Sequence, residues 1–277
     1  MSITVLKADG TLEKFQVSKL KKSLRRAGAD NQEIAGIIKE IENTIYDGIK
    51  TQQIYRQAFA LLRESRGTVA SRYSLRRAML NLGPTGFPFE KFLAKLFEKK
   101  GYETKVGLVM SGSCAEHEID LVAYKEDHSF IAEAKFHARP GLKSDLQVAL
   151  YSYARLLDLR GIKICNRDHV CKIKEFWLIT NTKFTVAAKR YGNCVGLKML
   201  SWNYPKENNL QSLIEENKIY PITVLQDLSA KQIDFLFSRN IILCSDLLKK
   251  QEVFKFLNLS KQKQQKILTE IEDLLGG

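Results

Sequence analysis

No apolar run in this chain of 277 residues approaches the ~18 residues that a membrane span requires, and no signal-type apolar stretch follows Met1. A soluble, cytoplasmic protein without a membrane partner is therefore expected. Cysteine is scarce: Cys114, Cys165, Cys171, Cys194 and Cys244 are odd in number and too widely spread for a secreted disulfide framework. Cys165, His169 and Cys171, with Cys114 and His117, suggest a zinc cluster. They lack the paired C-x-x-C knuckle, however, so buried or free thiols are the expectation. A P-loop and a G-x-G-x-x-G are also absent, which removes the two commonest phosphate cradles.

What is present points to a folded, basic protein. A hydrophobic content of 44% excludes disorder and supports two or three domains. Lys and Arg number 44 against 31 Asp and Glu, and the formal charge of +13 favours a polyanionic partner such as DNA or RNA. That excess is local. Residues 1–83 hold 15 basic and 8 acidic side chains, 84–205 hold 19 and 13, and 206–277 balance at 10 each.

The most informative residues lie in His117-Glu118-Ile119-Asp120-Leu121-Val122-Ala123-Tyr124 and Phe130-Ile131-Ala132-Glu133-Ala134-Lys135-Phe136, both of which read as strands. Side chains alternate along a strand, so Glu133 and Lys135 project together. An antiparallel neighbour ending near Asp120 brings a second carboxylate to the same edge, a donor set suited to a hard cation such as Mg²⁺ or Mn²⁺. An acid-x-Lys inside an apolar strand, rather than in a charged loop, places costly charges where a task must justify them. Around these strands, Phe89, Phe92, Leu93, Leu96 and Phe97 recur at helical spacing before Gly101. Val106 to Met110 forms a further strand, Ser144 to Leu159 a helix, and Phe176 to Ile179 a fourth strand. Glu90 falls beside the phenylalanine stripe at the helix N-terminus, where it either stabilises the helix dipole or reaches a metal site.

The acid, hairpin and acid-x-Lys resemble the active-site signature of the PD-(D/E)xK nuclease superfamily, and the order helix, three strands, helix, strand matches its core. Trp177 to Thr185, with Ala187-Ala188 and Gly196-Leu197, is similar to the closing strand and helix of the Mrr-like restriction-endonuclease branch. The resemblance covers about residues 84–205. It implies a type IV restriction-like, metal-dependent endodeoxyribonuclease. Asp120 and Glu133 would be metal ligands, the Ala134 carbonyl a third, and Lys135 the cation that orients water or neutralises the phosphate. Gln147 stands where the branch often places a polar helix residue. His117 either contacts phosphate or is a satisfied structural histidine, since a strand would turn it away from Asp120.

At the front, residues 3–7 read as a strand, Asp9-Gly10 as a hairpin turn and Leu12 to Val17 as a second strand. Ser18 is the expected cap of a helix over 20–27. Helices over 31–46, 51–64 and 71–82 follow, with Gly28, Gly48 and Gly67 as breaks. Val5-Leu6-Lys7-Ala8-Asp9-Gly10, Phe15, Lys19, Tyr46-Asp47-Gly48-Ile49-Lys50-Thr51, Arg72-Tyr73 and Arg76 resemble the ATP-cone, a nucleotide-sensing domain of ribonucleotide reductases and their repressors. The resemblance implies that ATP or dATP binds here, with Val5 and Lys7 against the nucleotide, Glu13 and Gln16 near base or sugar, Lys19 on phosphate, and Thr51 and Tyr55 bordering the site. Ala8 stands where the family commonly carries arginine, which removes a guanidinium from the phosphate contacts.

Residues 206–277 read as helical, with helix starts at Leu228-Ser229, Asp246-Leu247-Leu248 and Leu259-Ser260. They faintly resemble helix-hairpin-helix modules, but Ser238-Arg239-Asn240-Ile241 replaces the glycine-bearing turn, so a packing or dimerisation module is expected. The whole is a mixed α/β (α+β) chain: an ATP-cone over 1–83, a nuclease domain with a mixed sheet over 84–205, and a helical module over 206–277. Its expected partners are DNA, a nucleotide and further copies of itself. The alternative is a nucleotide-responsive DNA-binding regulator on an inactive nuclease scaffold.

Overall fold

Gly10 sits at φ 81, a left-handed conformation that glycine takes without steric cost, and so folds β1 (Thr4–Leu6) back on β2 (Leu12–Lys14). Val5 pairs with Glu13 in that hairpin, and β3 (Ile49–Lys50) adds in parallel with Ile49 beside Val5. The computed structural model describes residues 3–125, 128–165 and 170–276, without the side chains of 163–165 and 170–172. Four helices cover the small sheet: α1 (Val17–Ala27), α2 (Asn31–Thr44), α3 (Thr51–Ser65) and α4 (Gly67–Leu80). Their inward faces meet at Leu24, Ile41, Ala58 and Leu62, which are essentially sealed from solvent. Two starts differ from the expected ones. Helix α1 begins at Val17, with Gln16 rather than Ser18 in the cap position and no side-chain cap bond. Helix α4 begins at Gly67 rather than at residue 71, so Ser71 lies buried within it.

Pro88 occupies the first turn of α5 (Phe87–Lys99), where its missing N–H costs nothing, and Phe89, Phe92, Leu93 and Leu96 are fully buried. Three strands then form a meander: β4 (Glu103–Ser111), β5 (Glu116–Lys125) and β6 (His128–Lys135). After β7 (Lys143–Ser144) comes α6 (Leu146–Asp158), capped by Asp145, whose side chain accepts the Val148 amide at 3.2 Å. A hairpin of β8 (Lys163–Cys165) and β9 (Val170–Lys172) leads to β10 (Glu175–Thr180) and β11 (Lys183–Phe184). Helix α7 (Val186–Cys194), β12 (Lys198–Leu200) and α8 (Leu210–Glu216) complete this part. The main sheet has the order β12-β10-β6-β5-β4, antiparallel from β4 to β6 and parallel from β6 to β12. Strand β6 is thus central and flanked on both sides, which accounts for its nearly unbroken burial.

The last helices are α9 (Ala230–Ser238), α10 (Cys244–Lys249) and α11 (Lys261–Leu275). Ser229 and Ser260 cap α9 and α11 as expected. Asp246, in contrast, lies inside α10, where its carboxylate accepts the Leu243 amide at 3.0 Å. Asn240 holds φ 57, so asparagine supplies the left-handed step of that turn without glycine.

By contacts the chain divides into two compact units, Met1–Ala78 with Ile222–Gly277, and Met79–Pro221. Within the first unit the C-terminal segment is tied to the cone by polar bonds from α11 and from Asp227. Ser71 Oγ donates to Glu270, Thr68 Oγ1 lies 3.2 Å from Asp273, and Arg63 is 3.0 Å from Asp227. Among the described residues no helix is long and apolar enough to cross a membrane.

Candidate functional site

The site forms where two strands part. Residue pairing between β5 and β6 runs as far as Leu121 opposite Ala132, whereas β6 continues against β10 to Lys135 opposite Thr180. Just past the last β5–β6 pair, the Ala134 amide donates to Asp120 Oδ2 at 2.7 Å, so a carboxylate takes the place of a backbone carbonyl. Alternation along β6 puts Glu133 and Lys135 on one side, and Lys135 Nζ lies 3.0 Å from Glu133 Oε1. Glu133 is 8% exposed, and its other oxygen accepts from Nη1 of Arg155 on α6. The Nη2 of Arg155 donates to the Glu118 carbonyl, and its guanidinium lies 5.2 Å from the Tyr151 ring centre.

The carboxylates here repel one another. Burial first, and then the Glu133 charge, raise Asp120 from 3.8 to about 6, although the Ala134 amide and Arg155 pull the other way. Glu90, in the first turn of α5, is raised to about 7 by burial and by the charges of Asp120, Glu118 and Glu133. Burial is the larger cause of that shift and the neighbouring charges the next, so Glu90 lies within electrostatic reach of the acidic cluster. Asp120, Glu133, Lys135 and Glu90 therefore share one site, and Ala134 contributes its amide to it.

Two expected members stand apart from these groups. His117 Nε2 is 2.7 Å from Asp158 Oδ2, and Asp158 also accepts the amides of Cys114 at 2.7 Å and Ala115 at 3.1 Å. The bond from His117 is the main reason that Asp158 is held down at about 2. His117 is thus a clamp between the start of β5 and the end of α6, not a partner of Asp120. Gln147 is exposed on the first turn of α6, and the α6 residue that reaches Glu133 is Arg155, two turns further along. Arg155 escaped the sequence reading because arginine inside a helix is usually solvated. Its only signal was an isolated charge within the apolar run Ala154 to Leu157.

Among the described residues no group of three or more His, Cys, Asp or Glu side chains is arranged to hold a metal ion. The donor chemistry nonetheless fits a hard cation, because Mg²⁺ sites commonly take one or two carboxylates and complete their shell with water and phosphate oxygens. Of the zinc candidates, Cys114 is an exposed free thiol, and the side chains of Cys165 and Cys171 and all of His169 lie outside the described residues.

In the cone, Lys7 and Lys19 both pair with Glu13, which gathers three expected nucleotide contacts around one carboxylate. Val5 is buried in β1, Thr51 Oγ1 is 3.4 Å from the Leu6 carbonyl, and Gln16 sits at the N-cap position of α1 without a side-chain bond to it. Tyr55 stacks on Tyr73 with ring centres 5.2 Å apart and on Phe59 at 6.1 Å. Burial pushes the Tyr73 hydroxyl up to about 12 and that of Tyr55 higher still, so both rings serve as neutral packing surfaces.

Family comparisons bear on both parts of the chain. A model described as the ATP cone domain matches residues 3–80, and one described as AF1548-like, C-terminal, matches residues 220–275. An uncharacterized protein of Archaeoglobus fulgidus is 34% identical over 185 residues, which is 66% of this chain and 100% of that relative. The chain belongs to the AF1548-like family. The crystal structure of AF1548, described as a protein of unknown function, matches with a TM-score of 0.56 and 32% identity over 70% of this chain and 100% of that one. Residues 3–80 are an ATP-cone.

Proposed function

We propose that this AF1548-like protein is a Mg²⁺- or Mn²⁺-dependent DNA endonuclease whose activity responds to ATP or dATP at the cone. The observation that carries the proposal is the meeting of Asp120, Glu133 and Lys135 where β5 and β6 part, on a helix, three strands, helix, strand framework. Asp120 and Glu133 would hold the cation, with the Ala134 carbonyl as a third donor. The cation would supply a polarised phosphate and a more acidic water. Lys135 presents an ammonium at the same edge and neutralises charge that develops on the phosphoryl oxygens. Glu90, raised to about 7, can hold or release a proton beside that edge near neutral pH. The charge of +13 supplies attraction to the DNA backbone that is independent of sequence.

Incubation of supercoiled plasmid with the protein and Mg²⁺ tests the hydrolase. Nicking that requires the metal and disappears in Asp120→Ala supports it, and equal nicking by both proteins removes these residues from the chemistry. Sedimentation with and without ATP or dATP tests the sensor. A nucleotide acts only through its differential affinity for two states, here taken to be homo-oligomers, so identical profiles would count against regulation of this kind.

A second reading has its own support. Both oxygens of Glu133 are engaged, one by Lys135 and one by Arg155, as in a scaffold whose acid serves packing. DNA binding that responds to nucleotide, without cleavage in any divalent cation, favours that DNA-binding regulator.

Ionisation gives the hydrolase a pH signature. With Asp120 at about 6 and Glu90 at about 7 in the metal-free protein, the affinity for Mg²⁺, read as the concentration that half-saturates plasmid nicking, is expected to increase from pH 6 to 8 as both carboxyls lose protons. Glu90→Gln removes the upper step and moves the half-maximal pH down by about one unit. An unchanged profile in that variant takes Glu90 out of the metal site.

A further inference from the structure

The side chain of Arg155 is 11% exposed, yet its bonding is incomplete. One terminal nitrogen donates to Glu133 and the other to the Glu118 carbonyl, while Nε is buried without a hydrogen-bond partner. A buried donor left unpaired costs about 1–3 kcal/mol, so a move that gives it a partner is favoured. Glu133 also has a second cation, Lys135, at 3.0 Å, so its charge does not depend on arginine alone. The planar fork of a guanidinium matches phosphate oxygens two at a time, a fit that a carboxylate edge plus one carbonyl only half supplies. Tyr151 lies beside the guanidinium at 5.2 Å and offers a surface along which it can turn while staying covered.

We propose that Arg155 is a phosphate-binding residue of this site, held on Glu133 until a divalent cation takes that carboxylate and then transferred to the DNA backbone. The inference rests on the DNA and divalent-cation site proposed above. It adds a device by which the arginine meets phosphate only in the metal-loaded protein. Glu133 is the exchange point, because Lys135 holds one of its oxygens and Arg155 the other, so a cation that takes the carboxylate competes with both.

The test is the salt dependence of duplex binding by the full-length protein, measured in EDTA and in Ca²⁺. Each phosphate neutralised contributes roughly 0.9 to the slope of log K against log salt. Arg155→Gln is expected to lower the slope by about 0.9 in Ca²⁺ and to leave it unchanged in EDTA. Arg155→Lys keeps one charge and is expected to restore the slope while still lowering kcat for plasmid nicking, because the two-pronged fit is lost. Arg155→Lys also serves as the folding control should the glutamine variant be unstable. Equal slopes for wild type and Arg155→Gln in both buffers would make Arg155 a brace for Glu133, and equal losses in both would show that it faces DNA without any exchange. Either result overturns the inference even if plasmid is nicked. A Ca²⁺-specific loss of slope in a protein that nicks nothing would instead retain the exchange and remove the hydrolase.

Discussion

Asp120→Asn is expected to abolish metal-dependent cleavage and, at the same time, to make the protein more stable at neutral pH. Asp120 would hold the cation that stabilises the developing phosphoryl charge, and loss of one such stabiliser costs on the order of 100-fold or more in rate. The stability gain follows from the ionisation. In the native protein Asp120 is raised from 3.8 to about 6, chiefly by burial and then by Glu133, so between these values the folded state holds more protons than the unfolded one. Wild-type stability therefore falls as pH rises from about 4 to about 6, and the full penalty persists above that window. The shift corresponds to at most about 3 kcal/mol, and the partial exposure of Asp120 reduces it. Asparagine keeps an acceptor for the Ala134 amide without the charge. Urea unfolding at pH 4 and pH 8 should show the variant more stable only at the higher pH. Saturating Mg²⁺ should raise the melting temperature of the wild type but not of the variant. A variant less stable at pH 8 would mean that the carboxylate is a structural group after all.

The opposite sign is expected one residue along the same edge. Glu133→Gln removes the charge between Lys135 and the nearly buried Arg155. Breaking a buried ion pair by removing one partner costs about 3–5 kcal/mol, because the remaining charge is stranded away from water. Lys135 is 38% exposed and can turn to solvent, so the cost falls on Arg155, whose side chain is 11% exposed. Denaturant unfolding at pH 7.5 should place Glu133→Gln well below wild type and Asp120→Asn above it, although both are expected to be inactive. Equal stabilities would contradict the assignment of Glu133 as the acid that holds two cations in the resting protein. In this account the two carboxylates differ in cost. One is repelled and relieved by a cation, whereas the other is already neutralised and must be released.

How much of this was legible in the amino-acid sequence depends on how local the determinant is. The alternation of Glu133 and Lys135 within an apolar strand is a property of neighbouring residues, and β6 carries it as expected. The same holds for the hairpin around Gly10 and for the serine caps of α9 and α11. Arg155 was not legible, because its partner lies 22 positions away on another element and only packing of α6 on the sheet brings them together. His117 failed as a site residue for a similar reason: Asp158, 41 positions away, takes its ring. The helix expected from residue 71 begins earlier, at Gly67, and buries Ser71 against Glu270, a contact between positions 199 apart that local patterning does not carry.

Co-crystallisation of the full-length protein with a short DNA duplex and Mn²⁺, read by the anomalous signal of manganese, tests the central claim most directly. The account predicts a single peak held between the carboxylates of Asp120 and Glu133, with Arg155 moved from Glu133 to a phosphate oxygen. Density showing Glu133 still on Lys135 and Arg155, with manganese elsewhere and the duplex remote from the end of β6, would contradict it.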